Sequence, residues 1–436
     1  MIEEFVMKNP GNRSLSDYPE YVRAIVRVLI AGSEANREIG RISAQQFDDL
    51  NNAGVKVIDQ AHSLFKNCGF YRANGRPSLD AVTQQLSQLS GVDPETVALN
   101  QRVVDTSATV AEIVVFDRLL ELKASAHTLA CALEDKAGEF KGIVKCGRIG
   151  LQDATPILLS TEISSYASSI REAIDSIDRE QQKWNISHFG SGDLGTGYAI
   201  DTDFGELATS VLARLYKRPF VRPTEAYHAL NQAGKFLSAH NALVELAFAI
   251  WRLANDLEFL SSGPRGGIRE LILPAIAPGS SIMPGKINPT AAELAGATSD
   301  RVIADHDAML SALHRSWGAN GSLTGIPVKI MMENSDLLSR TCLVLTEKVI
   351  RGLTANPEKS QAQAENSIAL GLILIRLLGR PKTQEIMNMA LKEKLTVKQA
   401  TLALNALPAE IADEVFDLSK ISNLHGNREL MKKLFA

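Results

Sequence analysis

Two hydroxyls, a lysine and an asparagine stand close together in the segment Ala277-Pro-Gly-Ser-Ser-Ile-Met-Pro-Gly-Lys-Ile-Asn-Pro289. Glycines lie on either side of Ser280 and Ser281, Lys286 and Asn288 follow two apart, and Pro289 comes next. Such a loop holds a mobile serine beside a cation and an amide donor, with the positive end of a helix close by. The chemistry it suits is removal of a proton from carbon next to a carboxylate. The carboxylate then becomes a dianionic enolate, and preorganised donors aimed at that charge supply the largest share of the rate enhancement. A plain glycine-rich surface turn accounts for neither Lys286 nor Asn288.

Other candidates are weaker. Gly190-Ser-Gly192-Asp-Leu-Gly195 has the glycine spacing of a dinucleotide fingerprint, but that motif needs a preceding strand and a βαβ crossover, and here a helix precedes it. His188, two residues before Gly190, could supply an acid, although a lone histidine near a helix end is more often a capping or solvated group. His127, His228 and His240 read as packing or surface residues on helices. Cys68, Cys131, Cys146 and Cys342 are scattered with no CxxC spacing and no histidine at ligand distance, so neither a zinc site nor a disulfide framework is expected, and a reducing cytoplasm fits. No cofactor is called for.

The elements that must position the loop are helical. Between Ser107 and Ala137 there is no glycine or proline, and Val115, Leu119, Leu122, Ala126, Leu129 and Leu133 form one apolar seam. A second seam runs from Phe236 through Leu243, Leu246, Ile250 and Leu253 to Leu260. Ile163, Tyr166, Ile170, Ala173 and Ile177 mark a third helix after Pro156. Asn288-Pro289 predicts an N-cap with proline at the first position of a fourth, and a fifth follows Pro327 to about Gly352. No stretch alternates with period two over a comparable length, so the fold class is all-α. Helices of about 30 residues reach about 45 Å, more than a compact domain of this size needs, which predicts packing against other subunits. The loosest stretch of the first hundred residues is 67–77, and Thr354-Ala-Asn-Pro357 closes the long helices.

The 436 residues are 45% apolar, enough for a sizeable core, and 46 basic against 50 acidic residues give a net charge of -4. A chain that binds nucleic acid by neutralising phosphate leans the other way, so no nucleic-acid partner is expected. Met1 to Arg13 shows no signal-peptide pattern, and the apolar run Ile368 to Ile375 is far short of the about 20 residues that span a membrane. No membrane partner is expected either.

The run Gly279-Ser280-Ser281-Ile282-Met283-Pro284-Gly285-Lys286-Ile287-Asn288 resembles the signature of the aspartase/fumarase superfamily, which includes fumarase, aspartase, argininosuccinate lyase and adenylosuccinate lyase. The likeness continues through Asn255-Asp256, Ser262-Gly-Pro-Arg265, Gly147-Arg148, Leu151-Gln-Asp-Ala-Thr-Pro156 and the Gly195-Thr-Gly197 turn. It implies three helical domains, here 1–104, 105–354 and 355–436, a homotetramer cored by long central helices, and active sites drawn from three subunits. It further implies that Ser280 is the base and that Lys286 and Asn288 hold the carboxylate as it becomes an enolate. Arg102, Asp105, Thr106, Gln152, Ser281 and Met283 are the substrate-binding residues expected alongside them.

The sequence departs from the family pattern in three places. Ile149 and Gly150 replace the usual threonine and histidine after Gly-Arg, while Glu293, which looks like the histidine's partner, remains. Arg102, Val103 and Val104 replace Ser, Ser and Asn ahead of Asp105-Thr106. No counterpart of the carboxylate-binding serine or threonine loop appears between Asn67 and Asn100. Each loss removes a polar partner for a second substrate carboxylate, which costs several kcal/mol in a closed site. The reading is a lyase that eliminates a group β to a carboxylate from a small anionic substrate other than malate or aspartate. Alternatives are release of fumarate from a succinyl-type substrate, elimination of phosphate from a sulfonated or phosphorylated lactate-type substrate, and a non-catalytic structural homologue.

Overall fold

The computed structural model describes residues 18–64, 78–276, 285–314 and 325–435. The first elements are α1 (Pro19–Glu38), α2 (Ala44–Leu64), α3 (Ser78–Ser90) and the single turn α4 (Pro94–Val97), which Asp93 caps by accepting the Thr96 N–H at 2.8 Å. Then come α5 (Val103–Glu139), a hairpin of β1 (Val144–Ile149) and β2 (Gln152–Leu158), and α6 (Leu159–Gln181). Next are α7 (Phe204–Tyr216), the short α8 (Ala226–Leu230), α9 (Ala233–Ser261) and β3 (Leu271–Ile272). After α10 (Thr290–His314) and α11 (Gly325–Val344), a π-helical turn (Leu345–Ile350) leads to β4 (Thr354–Ala355), which pairs with β3. The chain closes with α12 (Pro357–Asn366), α13 (Leu372–Glu393), α14 (Val397–Ala403), α15 (Ala409–Val415), α16 (Leu418–Ile421) and α17 (Leu424–Phe435).

The apolar seams read from sequence are the buried faces of α5, α6 and α9. Val115, Leu119, Leu122, Ala126, Leu129 and Leu133 are all fully buried, as are Leu243, Leu246, Ile250 and Leu253. The fourth helix starts one residue later than its sequence predicts. The Pro289 carbonyl accepts the N–H groups of Ala292 and Glu293, which puts Pro289 at the cap and leaves Asn288 outside the helix, exposed. The fifth runs as expected, with the π turn as its last part.

The β1–β2 hairpin did not announce itself in the sequence. A register shift between Lys145 and Gly147 makes Lys145, Cys146 and Gly147 successively buried, so the period-two alternation that would mark a strand is broken. Helix still dominates, and an all-α, superfamily-like architecture describes the chain. No helix among the described residues is long and apolar enough to cross a membrane.

The chain forms two compact units, Met1–Ala124 with Asp175–Glu245 and Arg301–Ser339, and Ser125–Ile174 with Leu246–Asp300 and Arg340–Ala436. In the first, the buried face of α1, with Val22, Ile25, Val26 and Leu29, packs on α2 and α7. In the second, α12 lies against β1, and the segments from α13 to α15 gather a cluster that includes Leu374, Ile386, Val397 and Val415.

Candidate active site

The segment that leads into α10 carries Lys286, Ile287 and Asn288, all exposed. Gly285 before them takes φ +83°, a left-handed conformation that glycine adopts without strain. Gly285 and Ile287 share a small cavity with Gly263, Pro264, Arg269 and Leu271, so the turn that follows α9 supports the segment. Lys286 meets no carboxylate among the described residues, and the unpaired N–H groups of the α10 N-terminus lie just beyond it. Ser280, Ser281 and Met283 fall outside the described residues.

In the first turn of α10, Glu293 is exposed and faces Glu258 of α9, whose carboxyl is pushed up by burial and by the Glu293 charge. Half a turn earlier on α9, Asp256 accepts from the Tyr166 hydroxyl at 2.8 Å and from Arg252 Nε at 2.9 Å. Burial, with the charges of Glu162 and Asp256 added, holds the Tyr166 phenol well above its usual range, so it stays a donor.

The hairpin is anchored at its base and bare at its tip. The Arg148 Nη2 donates to Glu270 Oε1 at 2.9 Å and to Gln363 at 2.9 Å. The Lys145 ammonium lies 2.8 Å from Glu270 Oε2 and 2.5 Å from Glu162. Glu270 is fully buried, and so is Lys145. At the other end Gly150 and Leu151 take φ +57° and +64°, the pair of left-handed residues that a two-residue hairpin turn requires, between the paired Ile149 and Gln152. Ile149 is 79% exposed and Leu151 68%, and Gln152 is exposed beside them. Apolar side chains therefore occupy a rigidly held tip.

In the first unit, the start of α5 is tied to the glycine-rich turn. The Asp105 carboxylate, fully buried, accepts the Arg102 N–H at 3.0 Å and the Gly192 N–H at 2.8 Å. Burial pushes its pKa up to about 7 against these hydrogen bonds. Thr106 is also buried, its hydroxyl 3.3 Å from Asp105. Both side chains are spent on holding backbone. The Arg102 guanidinium donates to the Ala199 carbonyl at 3.4 Å and meets no carboxylate among the described residues, and Val103 beside it is 45% exposed. Gly190, Gly192, Gly195 and Gly197 all have positive φ, and a Cβ on Gly195 would lie 2.5 Å from the Tyr227 nitrogen. The glycine spacing thus serves a tight turn, with no βαβ unit around it to cradle a dinucleotide.

The family model described as Lyase matches residues 81–304, more than half of the chain. The chain belongs to the aspartase/fumarase superfamily. It is 28% identical to aspartate ammonia-lyase of Escherichia coli K12 over 444 residues, which covers 96% of this chain and 90% of that one. Class II fumarate hydratase of Thermus aquaticus is 29% identical over 423 residues, covering 94% and 91%. Among solved structures, a fumarate lyase:delta crystallin from Brucella melitensis bound to cobalt superposes with a TM-score of 0.87 at 25% identity, covering 97% of this chain and 95% of that one. The class II fumarase of Schistosoma mansoni, at 24% identity and a TM-score of 0.85, shares the fold. The chain is a lyase, and the chemistry of its superfamily is β-elimination through an enolate of the substrate carboxylate.

For a member of this superfamily, His188 has unexpected surroundings. It is buried, its backbone N–H donates to Thr109 Oγ1 at 3.0 Å, and its Nε2 lies 3.6 Å from Glu112. Glu112 accepts from the Lys235 ammonium, which sits 4.3 Å above the Trp184 ring. Burial lowers the Lys235 pKa despite its carboxylate partner. To protonate a leaving group, His188 would have to turn away from Glu112. The signal for this cluster was present in the sequence: Glu112 falls three residues before Val115, on the apolar seam itself. Neither Glu270 nor Lys145 had any such signal. No group of three or more His, Cys, Asp or Glu side chains converges as a metal site among the described residues.

Proposed function

We propose that this lyase acts on a small anionic substrate whose second polar group differs from the carboxylate of malate or aspartate. The observation that carries the reading is the hairpin tip, where Ile149, Gly150 and Leu151 offer no hydrogen bond from a side chain and where the buried ion network at the base prevents the tip from rearranging. A C4 dicarboxylate placed against it would leave one carboxylate without partners, at a cost of several kcal/mol.

In this proposal Ser280 removes the proton next to the retained carboxylate, activated by surrounding donors as its loop closes. Lys286 and Asn288, free of other partners, hold that carboxylate as charge builds on it, with the α10 N-terminus behind them. Arg102, whose guanidinium has no carboxylate to neutralise it, takes a second anionic group through its planar fork, and a sulfonate or phosphate suits that fork as well as a carboxylate does. Gln152 supplies an amide at the tip. Elimination of an amine, water or phosphate from the neighbouring carbon then forms the double bond. The three domains divided near residues 104 and 354, the homotetramer that completes each site and the cytoplasmic location belong to the same proposal.

The test is a panel of substituted succinates and of sulfo- and phospho-lactates, followed by the ultraviolet absorbance of the new double bond. Turnover of a panel member together with poor turnover of L-malate and L-aspartate is expected. Rates above about 10 per second on either of those two would overturn the specificity argument. Light scattering that gives a stable 47.3 kDa monomer would rule out the composite site.

A further inference from the structure

Three of the cysteines lie among the described residues, and all three are free thiols. Cys146 and Cys342 are buried, and burial pushes both thiols up, that of Cys342 to about 12. Cys131 on α5 is half-buried and belongs to a group of three side chains. The Nδ1 of His127, one turn earlier on the same helix, lies 3.4 Å from its Sγ. The Nη2 of Arg171 on α6 donates to the sulfur at 3.2 Å. Arg171 is itself fixed, since Glu134 accepts from its Nε and Nη2 at 2.9 Å each. Cys131 and His127 line a cavity of about 340 Å³ together with Lys136, Glu139 and Arg351.

These are the parts that thiol exchange needs. A ring nitrogen stands ready to take the S–H proton, a guanidinium N–H faces the sulfur where negative charge develops, and adjoining space can receive the incoming group. Cys146 and Cys342 have no such cation and base beside them together with an open cavity. We propose that Cys131 is a reversible thiolation site that exchanges with small disulfides of the glutathione type, independently of the lyase reaction.

The step balances without an external oxidant. The Cys131 proton passes to His127 Nδ1 as Sγ attacks one sulfur of the disulfide, the S–S bond breaks, and a mixed disulfide forms at Cys131. The departing thiolate takes up the proton. An excess of a reducing thiol runs the exchange backwards. The adduct would stand between Cys131 and Arg171, displacing the guanidinium from the sulfur and straining its fork to Glu134, which ties α5 to α6 in the second unit.

The test is incubation of the native protein with glutathione disulfide, read over time by intact mass and peptide mapping. A single glutathionyl group on Cys131 is expected, formed at least about tenfold faster than on Cys146 or Cys342 and removed by dithiothreitol. Arg171→Met and His127→Ala should each slow it by about tenfold, and Arg171→Lys, which keeps a cationic donor, should restore part of the rate. Circular dichroism establishes that each variant is folded, and if Arg171→Met is not, Arg171→Lys and His127→Ala carry the comparison. The proposal fails if Cys131 reacts no faster than the two buried cysteines, or if its rate is the same in folded Arg171 and His127 variants as in the unaltered protein.

Discussion

His240 and His306 point at each other through their Nδ1 atoms, 3.2 Å apart, with ring planes only 23° from parallel. The ring centroids are 5.4 Å apart, longer than the nitrogen separation by about the two ring radii, so the rings meet edge to edge rather than face to face. One nitrogen must donate and the other accept. The Asn334 amide nitrogen lies 2.9 Å from His240 Nε2, and if it donates there, the proton between the rings belongs to His240. A core that joins α9, α10 and α11 therefore depends on a neutral pair of imidazoles.

Burial, and then the neighbouring His306, lower the His240 pKa to about 4. The unfolded chain protonates this ring near its ordinary value of 6.5 while the folded one does not. Its contribution is thus intact above pH 6.5 and is lost as the pH falls toward 4, up to about 3 kcal/mol. Urea unfolding at about pH 7.5 and pH 5 should give a smaller acid loss for His240→Gln than for the unaltered protein. Equal losses would show that the pair does not stay neutral.

Asp105 works in the opposite sense. Its folded pKa of about 7 lies above the ordinary 3.8, so its contribution is complete below 3.8 and declines as the pH rises to 7. Asp105→Asn would set an amide N–H against a backbone donor and should destabilise by about 1–3 kcal/mol. The stability gap between the two proteins, measured by urea unfolding, should narrow from about pH 4 to pH 7. A gap that widens over this range would mean that the hydrogen bonds from Arg102 and Gly192 outweigh burial.

If Ser280 is the base, Ser280→Ala should lower turnover on the true substrate by about a hundredfold or more without changing assembly. Lys286→Met should weaken substrate binding as well as turnover, because an ammonium meets the carboxylate before the enolate forms and more strongly afterwards. Steady-state kinetics of both variants separates a base from a binder. Near-normal turnover in Ser280→Ala would move the base elsewhere.

Glu270→Gln should destabilise by about 3–5 kcal/mol, since it leaves the Lys145 and Arg148 charges facing a neutral amide in a buried place. Chemical denaturation measures this directly. A loss below about 1 kcal/mol would mean that water reaches those charges and that the hairpin base is softer than its contacts suggest.

The long helices were legible in the sequence because each buries one uninterrupted apolar stripe, as Val115 to Leu133 and Leu243 to Leu253 do, and such a stripe survives whatever lies around it. The Lys286 and Asn288 segment was legible because its residue types fit one chemistry. The hairpin was not, since its inward-facing residues include Lys145 and Arg148, whose burial makes sense only once Glu270, more than a hundred residues away, lies beside them. Asp105 was read as a substrate contact, and its tie to the Gly192 backbone is a long-range pairing that local patterns do not carry. The glycines from 190 to 197 were assigned to a turn correctly by exclusion, through the missing strand.

The widened turn at Leu345–Ile350 fixes how many residues the chain can have between α11 and β4. A π turn carries one residue more than the α-helix it interrupts, so removing a single residue there lets the helix close normally and swings everything beyond by about 100°. Thr354 and Ala355 would then lose their register with Ile272 and Leu271, and Asn356, whose N–H donates to the Glu270 carbonyl, would be pulled away from the hairpin's anchor. Sequence drift at this place is therefore confined to substitution, while a change of length would be felt at the catalytic hairpin through its foundation.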